Sequence, residues 1–214
     1  LKGDLFFGIF FERLLDVRTR RALFAKLDGE GVRFCRLVYA AGADIQKPLE
    51  EYTEEKIAFQ ARANFEGAVS LARAVLERSE GIPELLFVGS VSGLYPMPYF
   101  ALYSAAKKAL WQFAAALRVE WKGRAKVTCV QPGAIPTRED VKENIRTQGL
   151  WGKLAALPPD VVARKSLNAV RKNRRSPVLG FWNKLMRAST ALLPLSWKLR
   201  FIAKKWSKTR KDAF

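Results

Sequence analysis

The 214-residue chain contains no histidine. That absence removes Ser-His-Asp and Cys-His nucleophilic catalysis together with every histidine-based zinc site. Cysteine is almost missing as well. Cys35 and Cys129 lie in the apolar runs RFCRLVYAAG and KVTCVQPG, without the paired spacing that zinc requires. Both read as buried free thiols of a reducing compartment, so no disulfide framework and no metal site are expected. No apolar run is long enough to cross a bilayer, since ALLPLSW is short and flanked by cations. LKGDLFFGIFFERLL carries Asp4 and lacks a small-residue cleavage site, so no signal peptide is read there. A cytoplasmic location is the resulting expectation. Acids are scarce too, 20 against 38 lysines and arginines, for a formal net charge of +18. From Arg164 onward there are fifteen Lys or Arg and one acid, Asp212, so this tail holds +14 and the preceding body +4. Acid-base chemistry is left to Tyr, Lys, Asp, Glu or Cys.

What is present fits a globular domain, with 49% hydrophobic and 27% charged residues. GVRFCRLVYAAG reads as a buried strand ending at Gly42, ELLFVGS as a second closed by Ser90, and KVTCVQPG as a third broken by Pro132-Gly133. Between them, the periodicity from Thr53 to about Ser79 predicts one helix opened by Thr53. YFALYSAAKKALWQFAAALRVEWKG predicts another, stopped at Gly123, and Asp160 is placed as the cap of a helix reaching about Lys172. Continuous apolar strands alternating with helices indicate an α/β fold, a doubly wound parallel sheet with helices on both faces. One domain over 1–180 is expected, followed by a basic amphipathic helical extension over 181–214.

Tyr103 and Lys107 in YSAAKKAL are four residues apart and project from one helix face. On its own the pair better suits an aromatic on the core side with a lysine reaching past it, Lys108 being a solvated charge. The setting favours chemistry. In a doubly wound sheet ligands lie beyond the carboxyl ends of the strands. Ala40-Ala41-Gly42, Ser90, QPGAIPT and the helix carrying Tyr103 all fall there. Ser90 precedes Tyr103 by thirteen residues, and its spacing is preferred to that of Ser92. Asn64 sits mid-helix, where asparagine needs a local reason.

Asn64, Ser90, Tyr103 and Lys107, followed by Pro-Gly-x-Ile-x-Thr at Pro132 to Thr137, resemble the short-chain dehydrogenase/reductase family from about Asp16 to about Gly180. The resemblance implies a Rossmann-like fold and NAD(P)(H)-dependent interconversion of a carbonyl and an alcohol. Tyr103 would be the acid-base catalyst, Lys107 would lower its pKa and hold the nicotinamide ribose, and Ser90 would orient the substrate oxygen. Asn64 would hold a relay water. Ile135 and Thr137 would meet the carboxamide, with Pro132 and Gly133 in the same cofactor-binding loop. Ala40, Ala41 and Gly42 stand where the family has Asn-Ala-Gly. Asp16 and Val17 match an Asp-Val element that touches adenine, although Asp16 serves equally as a helix N-cap.

The family's Gly-rich pyrophosphate turn has no counterpart, since GDLFFG and DGEG have the wrong spacing. About two βα units before the Asp-Val element are therefore expected to be missing or replaced, with DLFFGIFF as a candidate substitute strand. The cofactor is NAD(H) or NADP(H), because the residue separating them would belong to that part. Between Thr137 and Pro159 a lid with Leu150, Trp151, Leu154 and Leu157, hinged at Gly149 and Gly152, suggests an apolar, small-molecule, lipid-like substrate. From Phe181 to Trp206 aromatics mix with cations around Pro194, which suits an anionic membrane surface or equally a helix pair packed on the body. A homodimer or homotetramer is expected through ALWQFAAAL. The competing readings are a catalytically silent scaffold and a basic nucleic-acid-binding protein, and the latter lacks a recognised module.

Overall fold

The computed structural model describes residues 16–207 and 212, so the DLFFGIFF strand lies outside the described residues. Asp16 accepts a hydrogen bond from the Thr19 N–H at 2.7 Å and caps α1 (Val17–Gly29). A turn through Gly31 leads into β1 (Phe34–Tyr39). Thr53 Oγ1 accepts from the Lys56 N–H at 3.3 Å and opens α2 (Glu54–Ala61). The expected single helix is interrupted by a π turn over Arg62–Glu66 before α3 (Gly67–Glu77). Then come β2 (Ser79–Val88), α4 (Ala101–Glu120) and β3 (Lys126–Val130), with Gly123 at φ 81° turning the chain between the last two. Two short helices follow, α5 (Glu139–Thr147) and α6 (Gly149–Ala155), then α7 (Pro159–Arg171), α8 (Phe181–Ala191) and α9 (Leu195–Trp206).

The sheet is parallel in the order β1-β2-β3. Leu37 lies beside Leu85 and Leu85 beside Val127, so like side chains stack across the strands. The period of two then sorts the core. Leu85, Phe87, Val127 and Cys129 pack with Leu71, Val75, Leu110 and Leu117 of α3 and α4. Leu86 and Val130 point the other way and pack with Val162, Ala169 and Val170 of α7. Helices cover both faces, as doubly wound topology requires. Beyond β3, the Cys129 and Gln131 N–H groups donate to Arg175 and Pro177 carbonyls, and Gln131 bridges Val178, continuing the sheet by one short segment. Glu84, central in its rung, accepts from Arg36 at 2.9 Å and Lys126 at 3.2 Å, its register neighbours on each side. Burial alone would raise this carboxyl, but those two cations hold it below its ordinary value.

Four expectations change. The first strand ends at Tyr39 rather than Gly42, because the chain leaves the sheet to run against Asn64 and Lys107. The second begins at Ser79, not Glu84, with a register slip opposite Phe34–Arg36 that absorbs the extra residues. Cys35 is exposed rather than buried, since among the described residues β1 is an edge strand paired only to β2. Asp160 is not the cap: Pro158 holds that position and Pro159 occupies the first helical one, where its missing N–H costs nothing. The apolar side of ALWQFAAAL goes to the core through Leu110, Ala114 and Leu117.

Phe87 is fully buried between the sheet and α4, where it meets Phe113 edge-on at 5.9 Å. Phe87→Ala is expected to cost about 3–5 kcal/mol in urea unfolding. A loss below about 1 kcal/mol would contradict this packing.

Candidate active site

Three loops leave the carboxyl ends of β1, β2 and β3 and converge on the first turns of α4. Lys107, only 3% exposed, donates from Nζ to the Val88 carbonyl at 3.2 Å, at the very end of β2. The same ammonium lies 5.6 Å from the Tyr103 ring centroid. A Cβ on Gly42 would fall 2.8 Å from Asn64 Oδ1 and 2.9 Å from Lys107 Nζ. Glycine at this position therefore lets an amide oxygen and an ammonium share one small space. Gly93 serves similarly, since its Cβ would press on the Lys107 backbone at 2.8 Å.

Asn64 gains its reason from the π turn that holds it. Its Nδ2 donates to the Ala43 carbonyl at 2.7 Å and to the Gln60 carbonyl at 2.9 Å, while the fully buried Oδ1 has no partner. A π turn inside an α-helix often marks a functional position. Ser90, buried, accepts from the Ser92 N–H at 3.1 Å and lies close enough to Tyr103 to favour the ionised phenol. Its own N–H donates to Gln131 Oε1 at 2.9 Å. Asn64, Ser90, Tyr103 and Lys107 are thus brought together from three segments, the last two residues sharing α4.

The cofactor-loop residues flank this group. Ala41 and Gly42 follow β1 with Ala40 exposed at its tip, and Pro132 is buried beside the partly covered Gly133 and Ile135. The Thr137 N–H donates to the Ile135 carbonyl at 2.7 Å, which folds the loop back. Of the two readings of Asp16, the capping one is what the structure displays, and Val17 is half exposed.

Two supports escaped the sequence reading. Gln131 is wholly buried and spans from Ser90 N–H to Cys129 Sγ, Nε2 to sulfur at 3.3 Å, so it fixes the end of β2 relative to β3. A polar residue closing an apolar strand was the available signal. Arg138 donates to Asp44 at 3.0 Å and to Asp140 at 2.8 Å, joining the loop after β1 to the loop after β3. Nothing in the linear sequence pairs residues 94 positions apart.

The electrostatics of the two groups are set mainly by burial. Burial pushes the Tyr103 phenol above its ordinary value, the Asp44 carboxylate adds to this, and Ser90 pulls back only in part. Burial also draws Lys107 down to about 8, against the nearby Cys129 and Asp44. Burial thus favours the protonated phenol of Tyr103 and the neutral amine of Lys107. A buried lysine titrating near 8 rather than 10.5 gives a signed prediction. The unfolded chain binds more protons between these values, so the site's penalty on stability is full below pH 8 and gone above 10.5. The stability difference between wild type and Lys107→Met should move in the wild type's favour as pH rises through this window, read by urea melts. A difference flat with pH would contradict the depressed value.

The short chain dehydrogenase family matches residues 14–148. Among curated relatives, a 3-ketodihydrosphingosine reductase from Bacteroides thetaiotaomicron is 33% identical over 132 residues, 60% of this chain and 49% of its own. A tropinone reductase homologue from Arabidopsis thaliana is 32% identical over 104 residues, 47% of this chain and 39% of its own. The chain thus spans half or less of the length of these relatives. A solved 4-hydroxyisoleucine dehydrogenase, complexed with NADH, superposes with a TM-score of 0.66 at 20% identity, covering 78% of this chain and 75% of its own. That likeness is one of fold. With the four-residue cluster in place at the strand ends, the family match over residues 14–148 settles the assignment: the chain belongs to the short-chain dehydrogenase family.

Proposed function

We propose that the protein is an NAD(P)(H)-dependent oxidoreductase that reduces the carbonyl of an apolar, lipid-like substrate, with Tyr103 as the proton donor. The observation that carries this reading is the meeting of Ser90, Tyr103, Lys107 and Asn64 at the carboxyl end of a parallel sheet. The residues fit a nicotinamide nucleotide at this end. The orphaned Asn64 Oδ1 and the Lys107 ammonium lie together beside Gly42, and the ammonium spends one donor on Val88, leaving two for ribose hydroxyls. Ile135 and Thr137 would border the nicotinamide, with Ala40, Ala41, Pro132 and Gly133 around it and Asp16 and Val17 toward the adenine. When bound, the reduced nucleotide supplies the hydride.

The chain's own residues do the rest. Ser90 Oγ hydrogen-bonds the substrate oxygen and points it at Tyr103. Because the phenol is held protonated at neutral pH, it is poised to give its proton to the oxygen as negative charge develops there, which favours reduction. Lys107, near 8, can then return a proton to the phenolate, with a water held at Asn64 Oδ1 linking it to solvent. The lipid-like substrate is supported by two relatives named 3-ketodihydrosphingosine reductases, the second from Eremothecium gossypii at 29% identity over 129 residues. It is also supported by Leu157, just beyond α6, which packs with Ile135 against the second core. A homodimer or homotetramer belongs to the same proposal, supported by the half-covered Phe65, Trp111 and Phe113 along α4 and the π turn.

Full-length protein supplied with NADPH or NADH and a long-chain 3-ketone should consume reduced nucleotide. Tyr103→Phe is expected to lower that rate by about 100-fold or more while the circular dichroism spectrum stays unchanged. A Tyr103→Phe variant turning over at the wild-type rate would remove the proposed role.

A further inference from the structure

Two helices beyond residue 180 carry apolar side chains on faces that the body does not use. On α8 these are Phe181, Leu185, Ala188 and Leu192, spaced so that they line one side of the helix, with Phe181 70% and Leu192 94% exposed. The helix is not free to rotate this stripe inward. Asn183, on the opposite side and buried, donates from Nδ2 to the carbonyls of Ala155 at 2.9 Å and Leu179 at 2.8 Å. Thr190 Oγ1 bonds Tyr95 OH at 3.0 Å at the other end. The outward direction of the stripe is therefore set by the fold.

Helix α9 is built the same way. Leu199, Ile202, Ala203 and Trp206 are partly covered, and Trp206 stacks toward Phe100 at 6.5 Å. The outer side presents Trp197, 65% exposed, and Phe201, 70% exposed, between the exposed Arg200, Lys204 and Lys205. From Phe181 to Ser207 there is no acid, against Lys184, Arg187 and the cations of α9. The tail's single acid, Asp212, is turned onto Lys47, at 2.9 Å, and onto Lys56.

We infer that α8 and α9 form a docking surface for an anionic lipid bilayer. Aromatic and aliphatic side chains would enter the interface while the flanking lysines and arginines meet acidic headgroups. No described helix is long and apolar enough to cross a membrane, so the contact is peripheral. Charge decides against a second copy of the chain as occupant, because two faces rich in cations and free of acid repel one another. The exposed leucines decide against nucleic acid, whose phosphates would answer the cations and leave that stripe in water. The surface stands independently of the oxidoreductase reading, yet it bears on it. Phe100 stacks on Trp206 of α9 and on Tyr103 at 4.3 Å, so the docked helices adjoin the first turn of the catalytic helix and would bring the site to the bilayer that holds its substrate.

The test is co-sedimentation of full-length protein with phosphatidylcholine vesicles, with and without phosphatidylserine. Binding is expected with phosphatidylserine, and the double variant Phe181→Ser/Leu192→Ser should weaken it by about tenfold or more, because buried apolar area is lost from the interface. These side chains are exposed, so the fold should survive, which circular dichroism checks. Three results would overturn the inference. They are no binding to either vesicle, binding untouched by the double variant, or a dimer in size-exclusion chromatography that the double variant splits. Since none of these reads turnover, failure here is separate from failure of the proposed reaction.

Discussion

A lysine ammonium held almost out of water, where the ends of two parallel strands meet the first turns of α4, organises much of this molecule. Lys107 has one backbone acceptor, the Val88 carbonyl, and otherwise faces a small space bounded by Gly42 and Asn64. Burying a charge on these terms is costly, and the lysine shows it by titrating near 8. The neighbouring residues are what such a site needs. Position 42 has no side chain, position 93 has none either, and the helix opposite is loosened into a π turn so that Asn64 can reach Ala43. These features weaken local structure and make sense only around the buried amine.

The same constraint explains how the loops are tied. Parallel strands end in separate loops, which need a link beyond the backbone bonds from the Gly89 N–H to Val130 and from the Val91 N–H to Pro132. Gln131 supplies that link between β2 and β3 by accepting from Ser90 N–H, and Arg138 supplies it between the β1 and β3 loops through Asp44. Asp44 has a second effect. Its carboxylate helps to keep the phenol protonated while it favours the lysine's charge, so one residue sets opposite protonation tendencies across the pair.

The sequence was informative where chemistry repeats with a period. The continuous apolar runs in ELLFV and KVTCV placed β2 and β3, and the four-residue step from Tyr103 to Lys107 placed both on one side of α4. It was weaker where tertiary context decides. Cys35 sits in an apolar run yet is exposed, because its strand is an edge among the described residues, and apolar runs do not announce edges. Asp160 has the composition of a cap, but the Pro-Pro pair before it fixes where the helix starts. In ALWQFAAAL the sequence does not say which apolar side chains go inward: Leu110, Ala114 and Leu117 enter the core, while Trp111 and Phe113 are only partly covered. The raised Tyr103 and lowered Lys107 were not legible either, because spacing says nothing of how far both groups are desolvated.

The most direct test of the site's assembly around Lys107 is calorimetric titration of full-length wild type and Lys107→Met with NADPH and with NADH. Saturable binding by the wild type, weakened about tenfold or more by the substitution, is the result that the proposed contact of Lys107 with ribose hydroxyls predicts. Wild-type protein that binds neither nucleotide, or a Lys107→Met variant that binds as tightly as wild type, would contradict it.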